Sequence, residues 1–182
     1  MSANHVRIIG GKYRSRILRF PDRPELRPTP DRVRETLFNW LGQDLSGKAC
    51  LDLFAGSGAL GFEAAARGAA PVVMVERDRR AYEALRSNAS LLGCEGFVHL
   101  RCADALQFVR TAAETFDVVF LDPPFNSGLI TAIIPLIPRL LRSGSALYVE
   151  GAEAVELQPP WRLHRRSRAG HVTFQLYIHG DQ

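Results

Sequence analysis

Five short apolar runs alternate with helix-like segments from residue 48 onward, and this alternation limits the possible folds more than any other feature. The runs cover residues 49–54, 72–76, 97–102, 116–122 and 146–150. The helix-like segments cover residues 58–67, 79–92, 104–113 and 128–142. Strands that are apolar on both faces and separated by helices are typical of a parallel sheet covered on both sides. The sequence therefore predicts an α/β fold with a doubly wound sheet.

Residues 161–178 have a different pattern, in which apolar and polar residues alternate. This alternation is typical of antiparallel strands with one buried face. Two such strands, together with the five parallel ones, predict a mostly parallel, seven-stranded sheet that ends in an antiparallel C-terminal hairpin. Ligands of doubly wound sheets bind at the carboxyl ends of the strands, so we expect the chemistry there.

The first 45 residues predict an extension made of a β-hairpin and a helix. Two short β-like runs flank the turn residues Gly10 and Gly11, and a proline-rich connector follows at residues 21–30. We expect a helix with Thr29 as its N-cap and Pro30 at its first position, ending at Gly42. Because 182 residues is the length of one domain, we predict a single domain over residues 1–182, with residues 1–45 as its N-terminal extension.

The net charge of +4 is distributed unevenly. Residues 1–48 contain ten basic and five acidic residues, residues 49–158 nine and thirteen, and residues 159–182 four and one. Basic ends around an acidic middle favour a polyanion-binding surface beside a site for a cationic or hydroxyl-rich ligand. The excess of Arg over Lys, 21 to 2, is also compatible with a simple bias in genomic base composition.

Some classes of site and protein are not expected. Cys50, Cys94 and Cys102 lie in or beside apolar segments and show no CxxC or Cys/His spacing, so no metal site is predicted. No apolar run reaches the ~18 residues of a membrane-spanning helix, and the N-terminus lacks the apolar core of a signal peptide. We therefore expect a cytoplasmic protein without a membrane partner.

A glycine-rich loop follows the first apolar run. Gly56, Gly58 and Gly61 have the GxGxxG spacing of dinucleotide-binding loops, and Glu76 lies 20 residues beyond Gly56. An NAD-dependent oxidoreductase is therefore one interpretation. Asp52 argues against it, because a carboxylate just before the loop would repel a pyrophosphate. The same carboxylate suits a ligand with an ammonium group, such as the methionine part of S-adenosylmethionine.

Two further carboxylates follow neighbouring strands. Glu76 ends the second run and can accept hydrogen bonds from both hydroxyls of a ribose. Asp104, just past the third run, can accept the amino hydrogens of adenine, while the amide of Ala105 donates to the adenine ring. Each carboxylate alone is also compatible with a solvated loop charge or a helix N-cap. Their occurrence at successive strand ends favours a cofactor site.

The tetrad Asp122-Pro123-Pro124-Phe125 stands at the end of the fourth run and begins with its last residue. Two prolines can simply end a strand. The functional interpretation is more specific, because an exocyclic amine on a base is a poor nucleophile whose lone pair is delocalised into the ring. Hydrogen bonds to the Asp122 carboxylate and the Pro123 carbonyl would localise that lone pair, and Phe125 would stack on a base held out of its helix.

The loop of residues 52–58 and the tetrad together resemble the class I amino-methyltransferases, whose signature is Asp or Asn, Pro, Pro and an aromatic residue. Residues 7–16, 27–40 and 51–69, taken with the tetrad, resemble the bacterial 16S rRNA guanine-N2 methyltransferases of the RsmD family. The resemblance extends over residues 6–178. Pro30 is a departure, since the family motif is expected to have a polar residue at that position.

This resemblance implies a Rossmann-like class I methyltransferase fold, S-adenosyl-L-methionine as cofactor and one guanine of 16S rRNA as substrate. It implies a cofactor site of Asp52, Phe54, Ala55, Gly56, Gly58, Glu76, Arg77, Asp104 and Ala105. It assigns the catalytic motif to Asp122, Pro123, Pro124 and Phe125. Thr29 and Arg32 are expected to close over the cofactor. We expect a monomer that acts on the 30S subunit or an assembly intermediate, because a small chain without a recognition domain needs such a surface.

Basic residues near the N-terminus are expected to bind RNA phosphates, namely Lys12, Arg14, Arg16, Arg32 and Arg34. This prediction places the N-terminal hairpin beside the catalytic strand ends. The arginines of the final hairpin, at positions 162, 165, 166 and 168, are a second candidate surface.

Other functions remain open from the sequence. Adenine-N6 methylation of DNA or RNA uses the same tetrad, although DNA enzymes of this type usually carry a separate recognition domain. Cytosine C5 methylation needs a nucleophilic Cys at the fourth strand end, where Asp122 stands instead. A non-catalytic RNA-binding module predicts RNA binding without turnover.

Overall fold

A computed structural model describes residues 3–22, 26, 28–125 and 127–180. The N-terminal extension contains strands β1 (Ala3–Arg7) and β2 (Ile17–Pro21) and helix α1 (Asp31–Leu41). Five parallel strands follow, β3 (Cys50–Asp52), β4 (Val72–Glu76), β5 (Val98–Cys102), β6 (Phe116–Leu121) and β7 (Leu141–Gly151). The helices between them are α2 (Ala59–Ala66), α3 (Arg79–Leu92), α4 (Ala105–Thr111) and α5 (Leu129–Ile133). The chain ends in strands β8 (Trp161–Ala169) and β9 (Val172–His179).

The main sheet has seven strands in the order β5-β4-β3-β6-β7-β9-β8. Strands β3 to β7 pair in parallel, whereas β9 pairs antiparallel with both β7 and β8. The predicted mostly parallel sheet with an antiparallel C-terminal hairpin is thus confirmed. The strand order reverses between β3 and β6, and such a switch point opens a crevice at the carboxyl ends of the strands.

The central strands β3, β4 and β6 are mostly apolar, and both faces of the sheet are covered there. One face buries side chains against α2, α3 and the N-terminal extension, among them Cys50, Val72, Met74, Val118 and Phe120. The other face packs against α4 and the segment after α5, with Leu51, Val73, Val75, Val119 and Leu121. Alternate residues of one strand therefore contribute to two separate cores.

The segment after β6 departs from the prediction of one helix over residues 128–142. Helix α5 ends at Ile133, and residues Ile134–Leu140 form a 3-10 helix. Pro135 and Pro138 lie in this stretch and have no N–H to donate to an α-helical hydrogen bond. Strand β7 begins directly afterwards, earlier than predicted.

The N-terminal hairpin and α1 form as expected, but the start of the helix differs. Pro30 is the N-cap of α1, and its carbonyl accepts the amides of Val33 and Arg34. The prediction of Thr29 as the N-cap is therefore wrong, and its hydroxyl donates to Asp122 instead. Gly42 ends the helix in the left-handed conformation, with φ of 98°. Within the proline-rich connector, residues 23–25 and 27 lie outside the described residues.

The hairpin is attached to the main domain by side-chain contacts with backbone groups. Asn88 on α3 accepts from the amide of Arg19 at 3.2 Å and donates to its carbonyl at 2.9 Å. Glu63 on α2 accepts from the amides of Ile9 and Gly10 at 3.0 and 2.8 Å. No helix in the described residues is both long and apolar enough to span a membrane.

Candidate active site

The carboxyl ends of the parallel strands bring together the acidic residues predicted to form the site. Asp52 and Glu76 are the last residues of β3 and β4, and Asp122 directly follows β6. Asp104 follows β5 and caps α4. Because all four strands run in the same direction, these carboxylates lie along one edge of the sheet.

The glycine loop after β3 needs glycine for conformation and for space. Gly56 and Gly58 have φ of +52° and +83°, which L-amino acids with side chains rarely adopt. A Cβ atom at Gly58 would lie 2.5 Å from a ring carbon of Phe62. The amide of Gly56 donates to Glu76 Oε2 at 2.9 Å, so the loop is held against the end of β4.

Asp52 is buried and only partly satisfied. Its Oδ2 atom accepts from the amide of Gly61 at 3.0 Å, whereas Oδ1 has no hydrogen-bond partner within the described part of the chain. Burial raises the pKa of Asp52 to about 7, the backbone amides of Gly61 and Phe54 oppose this, and the charge of Glu76 adds to it. A buried carboxylate oxygen without a donor is costly and suits a cationic ligand.

The other predicted cofactor residues surround this loop. Glu76 is half-buried, and its Oε1 atom accepts from the amide of Asp78 at 2.7 Å. Asp104 is exposed, and its Oδ1 atom accepts from the amide of Gln107 at 3.0 Å, so it is the helix N-cap that the sequence also allowed. Ala55 and Ala105 are buried, Phe54 is half-buried, and Arg77 is exposed.

The catalytic tetrad combines a shielded carboxylate with an exposed aromatic ring. Asp122 is half-buried and accepts a hydrogen bond at Oδ2 from the Thr29 hydroxyl at 3.3 Å. Pro123 is buried and Pro124 is exposed. The Phe125 side chain is 55% exposed although it is large and apolar, so its ring is accessible to a base.

A further carboxylate, Glu150 near the end of β7, belongs to this edge and was not predicted. It is buried and accepts from the Tyr148 hydroxyl at 2.7 Å. Burial raises the pKa of Asp122 well above its ordinary value, and the charges of Glu150 and Asp52 act in the same direction. Glu150 ends an apolar run just as Glu76 does, and that pattern was the available sequence signal.

In the described residues, no three His, Cys, Asp or Glu side chains are grouped closely enough to hold a metal ion. The arrangement instead offers hydrogen-bond acceptors and negative charge, which can hold a cationic ligand and orient an amine.

One of the five predicted RNA-binding residues is buried in the protein. Arg32 is exposed in the first turn of α1, as expected. Arg34 is fully buried, and its guanidinium donates to Glu63, Asp31 and two backbone carbonyls. The prediction that Arg34 contacts RNA is therefore wrong, because all of its charge is directed into the protein.

The predicted placement of Lys12, Arg14 and Arg16 is also wrong. All three are exposed, but they lie at the tip of the N-terminal hairpin, and Arg16 donates to the carbonyl of Leu91 in the last turn of α3. Helices α2 and α3 return the chain to the amino ends of the strands, so their last turns lie at the edge opposite the acidic site. The hairpin tip therefore does not flank the catalytic strand ends.

Comparisons with known proteins identify relatives of this chain. The model of a family described as conserved hypothetical protein 95 matches residues 6–178. The chain is 42% identical to ribosomal RNA small subunit methyltransferase D of Escherichia coli strain K12, over 96% of this chain and 90% of that protein. It is 40% identical to the protein of the same name from Haemophilus influenzae, over 94% of this chain and 93% of that protein.

A solved structure supports the same relationship. The Escherichia coli protein yhhF matches the fold with a TM-score of 0.88 at 40% identity, over 98% of this chain and all (100%) of that chain. The sequence relatives and the family model extend over almost the whole chain, and the acidic strand ends and the tetrad lie within the matched range. The chain therefore belongs to the family of the ribosomal RNA small subunit methyltransferase D proteins.

Proposed function

We propose that the protein transfers a methyl group from S-adenosyl-L-methionine to the exocyclic N2 amine of a guanine in 16S rRNA. The observation that carries this proposal is the position of the tetrad 122–125 beside the unsatisfied Asp52 carboxylate, at the switch point of the sheet. The names of its relatives, ribosomal RNA small subunit methyltransferase D, support small-subunit rRNA as the substrate class.

The residues at the strand ends fit this cofactor. When bound, S-adenosylmethionine supplies a methyl group on a positively charged sulfur. Asp52 would bind its ammonium group through the oxygen that lacks a donor. Glu76 would accept its ribose hydroxyls, and Asp104 with the Ala105 amide would hold its adenine. Phe54, Ala55, Gly56, Gly58 and Arg77 complete the proposed cofactor site.

The tetrad would hold and activate the base. The Asp122 carboxylate and the Pro123 carbonyl accept hydrogen bonds from the amine, which directs its lone pair away from the ring. Pro124 limits the backbone at this point, so the carbonyl keeps its direction. Phe125 stacks on the base, a contact worth ~1–3 kcal/mol. The acidic surroundings of Asp122 also provide a place for the proton that the amine loses after methylation.

The substrate is proposed to be the 30S subunit or an assembly intermediate. The protein would act in the cytoplasm as a monomer, with residues 1–182 as one methyltransferase domain and residues 1–45 as its extension. Arg32, which is exposed near Thr29, would contact RNA at the strand ends. Lys12, Arg14 and Arg16 would contact RNA only where it extends to the opposite edge.

The test offers cofactor with a labelled methyl group to 30S particles, naked 16S rRNA and DNA, and then maps the modified base. We expect label on N2 of one guanine in 16S rRNA from 30S particles. Label on adenine or in DNA would overturn the guanine assignment, and equal labelling of naked rRNA would overturn the need for a particle. Asp122→Ala should lower methyl transfer ~10²–10³-fold without loss of cofactor binding, and Asp122→Asn should be milder.

A further inference from the structure

Thr29 contacts the active site from a distant part of the sequence. It lies in the connector before α1, 93 residues from Asp122, and its side chain is buried. Its hydroxyl donates to Asp122 Oδ2 at 3.3 Å, which is longer than the roughly 2.5–3.0 Å usual for an O–H···O bond. The bond occupies one oxygen of the carboxylate, so Oδ1 remains to accept a hydrogen from the amine of the base.

The position of Thr29 is fixed by the buried Arg34. The Nε atom of Arg34 donates to the Thr29 carbonyl at 3.0 Å. The Nη1 atom of the same guanidinium donates to Glu63 Oε2 at 3.1 Å, and Nη2 donates to Asp31. A planar guanidinium holds its donors in a fixed arrangement, so the Thr29 backbone is tied to helix α2.

Asp122 needs such a donor because its other neighbours disfavour its charge. Asp52 faces it from β3, and Glu150, which accepts from the Tyr148 hydroxyl, faces it from β7. Both charges raise the pKa of Asp122, as burial does, whereas the Thr29 hydroxyl lowers it. The charged form of a carboxylate offers only acceptors, at both oxygens, whereas the protonated form carries an O–H donor on one of them.

We propose that Thr29 is a positioning residue for methyl transfer, which orients the Asp122 carboxylate and favours its charged form, and that Arg34 on Glu63 holds Thr29 in place. The inference rests on the proposed role of Asp122 in the reaction. It assigns a catalytic purpose to the N-terminal extension, since Thr29 and Arg34 belong to it and Asp122 belongs to the sheet.

The test compares Thr29→Val with Thr29→Ser in methyl transfer to 30S particles. Val has nearly the shape of Thr but no hydroxyl, so we expect kcat to fall about 10- to 100-fold, the range for a hydrogen bond to a charged group. KM for cofactor and for particles should change less than about threefold, since Thr29 acts on Asp122. The acid limb of the kcat–pH profile should move to higher pH, because the pKa of Asp122 rises. Thr29→Ser should restore both kcat and the profile.

A second threonine provides a matched control. Thr36 lies on α1, and its hydroxyl donates to the Arg32 carbonyl within the same helix. Thr36→Val should therefore leave kcat and the pH profile unchanged. If Thr29→Val does not fold, Thr29→Ala and Thr29→Ser provide the same comparison, because both lack the methyl group and differ by the hydroxyl.

The outcomes separate this inference from the proposed function. If Asp122→Ala keeps normal turnover, the catalytic assignment of the tetrad fails. If Asp122→Ala is impaired but Thr29→Val keeps the parent kcat and pH profile, the positioning role alone is wrong. A lower kcat in Thr29→Val with an unshifted profile and no rescue by Ser would also overturn it, because that pattern indicates a packing defect.

Discussion

Replacing Glu63 by Gln tests the link between the N-terminal extension and the sheet domain. The Glu63 side chain is fully buried and accepts five hydrogen bonds. Two come from the amides of Ile9 and Gly10, and three come from the guanidinium groups of Arg34 and Arg67. Gln has nearly the same shape as Glu but no charge. Its NH₂ group is itself a donor and would face N–H groups that now donate to the Glu63 carboxylate. Glu63→Gln thus leaves the buried Arg67 without its counter-charge and leaves Arg34 paired with Asp31 alone.

Removing one partner from a buried ion pair costs about 3–5 kcal/mol. We expect Glu63→Gln to lower the free energy of unfolding by that amount. For a domain of this size, each kcal/mol lowers Tm by about 2–4 °C, so Tm should fall by about 6–20 °C. Glu83→Gln is the matched control: Glu83 pairs with Arg86 at 3.1 Å, but both side chains are at least half-exposed, at 50% and 61%. That variant should change stability by less than about 0.5 kcal/mol.

Urea unfolding of the parent and both variants, followed by circular dichroism, measures the effect. The midpoint of Glu63→Gln should fall at an unchanged m-value, which identifies a loss of stability with the same surface exposed on unfolding. A loss below 1 kcal/mol, no greater than that of Glu83→Gln, would refute the reasoning. It would mean that Arg34 and Arg67 find other partners or water when Glu63 loses its charge.

Three further predictions concern the ligands. Glu76→Ala should weaken S-adenosylmethionine binding, measured by calorimetry, by ~2–3 kcal/mol, because hydrogen bonds to two ribose hydroxyls are lost. The affinity for RNA should change little. Unchanged cofactor affinity in a folded variant would contradict the assignment of Glu76 to the ribose. Because the raised pKa of Asp52 is about 7, the carboxylate that binds the ammonium group is depleted at lower pH. Cofactor affinity should therefore rise up to about tenfold per pH unit as the pH increases toward 7, and level off above it. Asp52→Asn should abolish this dependence. A cofactor affinity of the parent protein that does not change with pH would exclude the pairing of Asp52 with the ammonium group. Arg14→Ala with Arg16→Ala should flatten the salt dependence of RNA binding by roughly 0.7–0.9 per lost phosphate contact, without altering kcat. If the salt dependence of RNA binding is unchanged in that double variant, the RNA binds only at the edge formed by the carboxyl ends of the strands.

The sheet was predictable because its pattern is local. Each apolar run that predicted a parallel strand contains or overlaps one, and the run at residues 72–76 coincides with Val72–Glu76. The position of the tetrad and the carboxylates at one edge was also predictable, since each lies at or near the carboxyl end of a run. Parallel strands then bring them to one edge whatever the details of packing.

The arrangement of the extension was not predictable, because it depends on pairs far apart in the sequence. Arg34 has the appearance of an exposed helix residue, and its burial depends on Glu63, 29 residues away. The docking of the hairpin depends on Glu63 and Asn88, neither of which forms a recognisable motif. Thr29 is a good N-cap by residue type, yet its hydroxyl contacts Asp122. In each case a distant partner outweighs the local preference.

The outer strand β8 has a consequence for the solubility of the chain. A strand at the end of a sheet presents unpaired N–H and C=O groups to which a strand of another molecule can add. Arg162, Arg165, Arg166 and Arg168 are exposed on β8, and its pairing with β9 shifts register between Leu163 and Arg165. A second copy would bring the same positive charges to an irregular edge, where repulsion and poor alignment both oppose pairing. The arginines of β8 thus disfavour aggregation through pairing at this edge strand, whether or not they also contact RNA.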